Sequence, residues 1–139
     1  MIAVIDTNVL LMSLPRKSPY HFIIRTFNEG QYNIALTTEI FLEYEEILKS
    51  KANAVTALNI LSAFVESPNI IPIDVHFKWN LIDADKDDNK FIDAYLASDA
   101  DYLVTNDAHF NEAKNLNFPK VNIVSADDFL QILKSLFGK

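Results

Sequence analysis

The sequence predicts an α/β domain folded around a mainly parallel sheet with helices flanking it. Three observations lead there. Short apolar runs rich in β-branched residues recur along the chain, as expected of strands buried on both faces. Between them lie longer segments whose apolar residues repeat at helical spacing. Only 2 glycines and 5 prolines interrupt 139 residues, 50% of them hydrophobic and 22% charged, which suits a single core with short loops.

Taken in order, Ile2–Ile5 is an apolar, β-branched strand. Ser18 and Pro19 supply a cap and a first helical proline for a helix carrying Phe22, Ile23 and Phe27, which Gly30 stops. Residues 32–36 form a second strand, and Thr37-Thr38 caps a helix whose stripe is Ile40, Phe41, Tyr44, Ile47 and Leu48. A further helix covers Ala54–Val65, with Val55, Leu58, Leu61 and Val65 expected inward. Residues 70–75 contain Pro72, which places that strand at a sheet edge. A polar loop over 83–89 precedes a helix marked by Phe91, Ile92, Tyr95 and Leu96. Tyr102–Val104 is an interior strand and 121–124 the last one. Ser125 and Asp128 then form a capping-box pattern for a terminal helix burying Phe129, Leu133, Leu136 and Phe137.

Composition excludes several classes. With no cysteine there are no disulfides, zinc–thiolate sites or thiol nucleophiles. No basic segment precedes an apolar stretch at the start, and the longest uncharged segment, 52–65, is too short and polar to cross a bilayer. A cytoplasmic protein is the expectation. The net charge of −7 is opposite to that of a generic nucleic-acid binder, so the positions of the acids carry the argument.

Asp6 follows the first strand directly, and Asp107 follows Tyr102–Val104 across Thr105-Asn106. Parallel strands point one way, so both carboxylates emerge at the carboxyl edge, where open α/β sheets bind ligands. The plain alternative is that each caps a following helix. Glu43 flanks the apolar stripe of its helix, where the alternative is a rim ion pair with Lys51. The run from Asp83 to Lys90 holds several acids before a helix, and lacks the glycine and downstream glutamate of an EF-hand. Carboxylates crowded together raise one another's pKa, and a hard divalent cation relieves that repulsion.

Four segments then stand out together: Asp6-Thr7-Asn8-Val9-Leu10, Glu43-Tyr44 with Ile47-Leu48, Asp85 with Asp88-Asn89-Lys90-Phe91, and Tyr102 through Asp107. Their order resembles the four motifs of PIN domains, most closely the branch of toxin components of toxin–antitoxin pairs. The resemblance spans Ile2 to about Phe129. It implies a single three-layer PIN-like domain over 1–139 acting as a Mg²⁺- or Mn²⁺-dependent ribonuclease on single-stranded RNA. Asp6, Glu43, Asp88 and Asp107 would be its metal-binding and catalytic acids. Thr7, Asn8, Thr105 and Asn106 would orient the carboxylates or ordered water. Asp88 matches the family's third acid better than Asp85, Asp87 or Asp93. An antitoxin partner follows from the same resemblance; a homodimer follows from it together with the high apolar share.

For RNA phosphates, the first candidates are Arg16 and Lys17, in the loop after the first strand, while Arg25, Lys49, Lys51 and Lys90 are sparser. His109 is the one histidine positioned to matter. Two rival readings remain. A phosphorelay receiver would use Asp74 as acceptor, Thr105 as switch hydroxyl and Lys120 as phosphate contact, although Lys120 precedes the last strand and the first strand ends in one acid. The other is a PIN fold kept only for binding.

Overall fold

The structure, a computed structural model, describes residues 1–83 and 85–138; Ala84, in the predicted acidic loop, lies outside the described residues. Five parallel strands form one sheet in the order β3-β2-β1-β4-β5. They are β1 (Ile2–Ile5), β2 (Asn33–Leu36), β3 (Ile70–Pro72), β4 (Tyr102–Val104) and β5 (Ile123–Val124). Seven α-helices accompany them among the described residues: α1 (Thr7–Ser13), α2 (His21–Asn28), α3 (Thr38–Lys51), α4 (Ala54–Val65), α5 (Asn89–Ser98), α6 (Asn111–Lys114) and α7 (Ala126–Phe137). The α/β class and parallel sheet are as the sequence predicts. Pro72 does lie in the edge strand, where its missing N–H costs no ladder bond.

The chain runs outward from β1 to β3, then returns to β4 on the other side of β1. Crossovers of one hand therefore put α5 on the opposite face from α1 to α4. Two cores result. On one face Phe27, Tyr32, Tyr44, Phe64 and Phe129 pack edge to face or tilted, at centroid distances between 5.3 and 5.9 Å. On the other, α5 lies across β1, β2 and β4, and its Phe91 meets Phe110. Ala3, Val4 and Ile5 between them are fully buried, which explains an apolar strand without alternation.

Several local expectations need correction. A helix, α1, starts directly after Asp6, where the sequence reading placed a loop. Helix α2 begins at His21, because Ser18 turns its hydroxyl to the Tyr20 N–H and its carbonyl to the His21 N–H. Helix α4 has the predicted span and a different inner face: Ala57, Leu61 and Phe64 are buried, whereas Val55, Leu58 and Val65 are 69%, 50% and 45% exposed. Nine of the twelve residues of α4 are apolar and none is charged, so apolar positions fall on more than one face and left its rotation open. Leu136 is likewise exposed, and Leu130 takes its place in the core. The caps hold as expected, with Thr37 accepting from Ile40 N–H and Ser125 from Asp128 N–H.

The revised face of α4 has a direct consequence. Leu61→Ala should destabilise the protein by about 2–4 kcal/mol in urea unfolding, whereas Leu58→Ala should stay within about 0.5 kcal/mol of the parent. Equal losses at both positions would return α4 to the orientation expected from sequence.

Candidate active site

The sheet reverses its winding between β1 and β4, and the crevice outside their carboxyl ends is where such folds bind ligands. Ile5 pairs with Val104, and the Asp6 N–H continues the ladder to the Val104 carbonyl at 3.0 Å. Asp6 occupies the cap position of α1, yet its carboxylate makes no capping bond. Its Oδ2 instead accepts from the Thr105 hydroxyl at 2.8 Å, and Thr105 Oγ1 in turn accepts from the Asp107 N–H at 3.0 Å. One hydroxyl thus ties together the two strand-end acids.

Glu43 arrives from α3. Tyr44, fully buried, donates its hydroxyl to the Ile5 carbonyl and so pins that helix beside the end of β1. Glu43 then accepts from the Thr7 hydroxyl on one oxygen and meets Lys90 Nζ at 2.7 Å on the other. Lys90 also reaches Asp87 at 3.3 Å. Burial opposes the Lys90 charge, but these two carboxylates outweigh it and raise its pKa.

Asp88 stands at the start of α5 and, like Asp6, makes no capping bond. The loop ahead of it is clamped by buried Asn89, whose side chain bonds both the N–H and the carbonyl of Ile82 at 2.8 and 3.0 Å. Asp88 Oδ2 is buried without a hydrogen-bond partner; His109 Nδ1 is 3.4 Å away, an ion-pair distance without hydrogen-bond alignment. The same ring nitrogen lies 3.2 Å from Asp107 and 4.0 Å from Asp85. Asp107 also accepts from the His109 N–H at 2.9 Å, so it does cap the short 3₁₀ turn Ala108–Phe110, as its plain structural reading supposed.

Electrostatics bind these acids into one group. Burial raises the Asp6 pKa, Glu43 and Asp107 raise it further, and the Thr105 hydrogen bond opposes them. Burial also pushes Asp88 up to about 6, with Asp85, Asp107 and Asp6 adding to the rise. The competitors of Asp88 lie elsewhere or play other parts. Asp93 turns to the Trp79 N–H at 3.0 Å, and Asp87 is mostly exposed beside Lys90. Asp85 accepts from the Asp87 N–H, and with Asp88 and His109 it forms a set whose donor atoms lie within 4.8 Å of one another.

The remaining candidates divide. Thr7 and Thr105 each bond a carboxylate of the group. Asn8 is exposed, and Asn106 accepts from the Ala126 N–H at 2.8 Å, which fastens the start of α7. Arg16 and Lys17 are exposed beyond the far end of α1, about 10 Å of helix from Asp6 rather than in a loop adjoining β1. Lys90 and Asn89 are the contributors the sequence reading undervalued. The receiver constellation is not assembled, since Asp74 lies beyond edge strand β3, with β2 and β1 between it and Thr105 at the end of β4.

A family model described as PIN domain matches residues 3–109, a span that holds all four acids. This chain belongs to the PIN-domain family. PIN domains are generally nucleases. Among solved structures, it is similar to a chain in the crystal structure of VapBC2 from Rickettsia felis bound to a DNA fragment from their promoter. That match has a TM-score of 0.64 and 15% identity over 90% of this chain and 98% of the other. The PIN domain of human SMG5 matches with a TM-score of 0.55 and 16% identity, over 95% and 99% of the two chains. At such identities the likeness concerns the fold. No curated protein matches significantly.

The pH dependence of the metal-free protein follows from Asp88. Its pKa in the folded state lies above the ordinary value of 3.8, so the folded protein is favoured while this group is protonated, and that advantage is lost as pH rises from about 4 through about 6. In EDTA, Asp88→Asn should therefore gain melting temperature relative to the parent across that window and match it below pH 4. Parallel pH profiles for the two proteins would contradict the burial and repulsion assigned to Asp88.

Proposed function

We propose that this PIN domain is a Mg²⁺- or Mn²⁺-dependent endoribonuclease that cleaves single-stranded RNA, acting as the toxin of a toxin–antitoxin pair. The observation that carries the reading is the buried Asp88 oxygen without a hydrogen-bond partner, at the switch point of the sheet, where burial and neighbouring acids raise the pKa of Asp6 and Asp88. Such a group fits a hard cation, because all-oxygen ligation removes both the repulsion and the orphaned acceptor. Asp6, Glu43, Asp88 and Asp107 would hold it, with Asp85 and His109 within reach. When bound, the ion supplies Lewis acidity toward a phosphoryl oxygen and makes water more acidic.

The chain's own residues do the positioning. Thr105 fixes Asp6 and the backbone of Asp107, while Thr7 and Lys90 grip the two oxygens of Glu43. The Lys90–Glu43 ion pair also supports a second reading, in which protein cations neutralise the cleft and the fold serves only for binding. Partners follow the same logic. The outward row Val55, Leu58 and Val65 of α4 supplies apolar surface for a homodimer, which light scattering at micromolar concentration should detect; a monomer there would remove it. The similarity to a VapBC2 chain supports an antitoxin partner.

Incubation with structured and single-stranded RNAs tests the activity: cleavage should require Mg²⁺ or Mn²⁺ and stop in EDTA, and RNA binding should be weak and depend strongly on salt and metal, because a chain of net −7 repels phosphate until cations fill the cleft. A cation bound only by the folded state stabilises it by about 2.7 kcal/mol at a hundredfold excess over Kd. The parent should show that gain in Mn²⁺, and Asp107→Asn should lose most of it together with cleavage. A variant that keeps both would leave Asp107 as a cap alone, and RNA cleavage in EDTA would remove the metal from the account.

A further inference from the structure

Three aromatic rings outside the carboxylate cleft have no role in the fold that explains their exposure. Phe77 and Phe118 are 65% and 81% exposed. Trp79 stands between them, with ring centroids 4.9 Å from Phe77 and 6.0 Å from Phe118, both at steep angles. Together they line a groove of about 520 Å³ whose floor is Leu96 and Ala97 of α5. The segment is anchored, because the Trp79 N–H donates to the half-buried Asp93 carboxylate.

The groove adjoins a second depression that reaches Lys90. Asp74 and Asp93 line both it and the adjoining depression that contains Lys78 and Lys90, and Lys90 holds Glu43. Exposed Lys120 lines the groove and exposed Lys78 lines the adjoining depression, two cations beside the rings in a chain of net charge −7. Asp74 and Asp93 are the opposing charges there; Lys78 pairs with Glu39 at 3.6 Å in an exposed pair and also acts on Asp93. Rings of this kind offer π-faces to successive bases without regard to sequence, while neighbouring cations follow the phosphates.

We propose that Phe77, Trp79 and Phe118 form a base-stacking subsite for single-stranded RNA that enters or leaves the carboxylate cleft past Lys90. The choice of RNA rests on the ribonuclease reading. A protein partner suits the groove less well, since its exposed lining is ring and cation rather than a broad aliphatic face, which this chain presents instead on α4.

Trp79 is the only tryptophan, so its fluorescence reports this site alone. The full chain is titrated with a twelve-nucleotide oligouridine in EDTA at low salt, where no cleavage intervenes. Saturable quenching is expected, weaker at higher salt, with about tenfold lower affinity in Phe77→Ala or Phe118→Ala. Both variants should keep the parental melting temperature, and an abasic oligomer of equal length should not quench. Quenching with no cleavage under any metal would uphold the subsite and remove the ribonuclease reading. RNA bound or cleaved without quenching, or with parental affinity in both variants, overturns the subsite and leaves the ribonuclease standing. Equal quenching by the abasic oligomer, emission that changes with protein concentration alone, or no binding at all would also overturn it.

Discussion

The Thr105 hydroxyl joins the two strand ends on which the cleft is built, giving its hydrogen to Asp6 and receiving the Asp107 N–H. That link exists because Ile5 and Val104 are in register across β1 and β4. A slip of one residue would exchange the faces of every side chain in the strand, moving Asp6 off the edge and opening the ladder. The other acids are fitted around this pair. Tyr44 fastens α3 to Ile5 and so delivers Glu43, while Asn89 clamps the Ile82 backbone and so delivers Asp88. Asp6, Glu43 and Asp107 each have a bond that holds the carboxylate where repulsion would otherwise drive it away, and Asp88 is placed by its backbone.

Holding several acids together costs stability, and the protein offsets part of that cost with Lys90, which neutralises Glu43, while the His109 ring stands among Asp85, Asp88 and Asp107. The compensation is incomplete, since Asp6 and Asp88 still have raised pKa values and one Asp88 oxygen lacks a donor. A site of this kind stores unfavourable electrostatics in the free protein that a cation would relieve. The same arrangement explains how a chain of net −7 could meet RNA: the negative charge at the cleft is the part that a metal would cancel.

Much of this was legible in the residues, and the failures have physical causes. β1 and β4 were readable because full burial demands unbroken apolar runs, and Asp6 and Asp107 followed from where those runs stop. α1 was missed because Asp6, in the position that usually announces a helix, spends its carboxylate on Thr105. The rotation of α4 was unreadable because its outward face is apolar too. Among the acids between Asp83 and Asp93, spacing left several in competition; the field Asp88 shares with Asp6 and Asp107 supports it as the one proposed for the site. Lys90 was read as a sparse candidate for RNA phosphates rather than as a partner of Glu43, since nothing in sequence shows that α5 and α3 meet beyond the sheet edge. The aromatic groove depends on Phe118 meeting Phe77 and Trp79 from a distant part of the chain, so the three were invisible as a group.

The central claim is that buried carboxylates, raised in pKa by burial and by one another, are there to hold a cation. Calorimetric titration of Mn²⁺ in buffers of different ionisation enthalpy measures both binding and the protons released with it. With Asp88 near 6 in the free protein, binding at pH 6 should release protons, and binding at pH 8 should release almost none. The same release should persist in His109→Gln, which assigns the protons to carboxylates rather than to the imidazole. Absence of Mn²⁺ binding, or binding at pH 6 without proton release, would contradict the account.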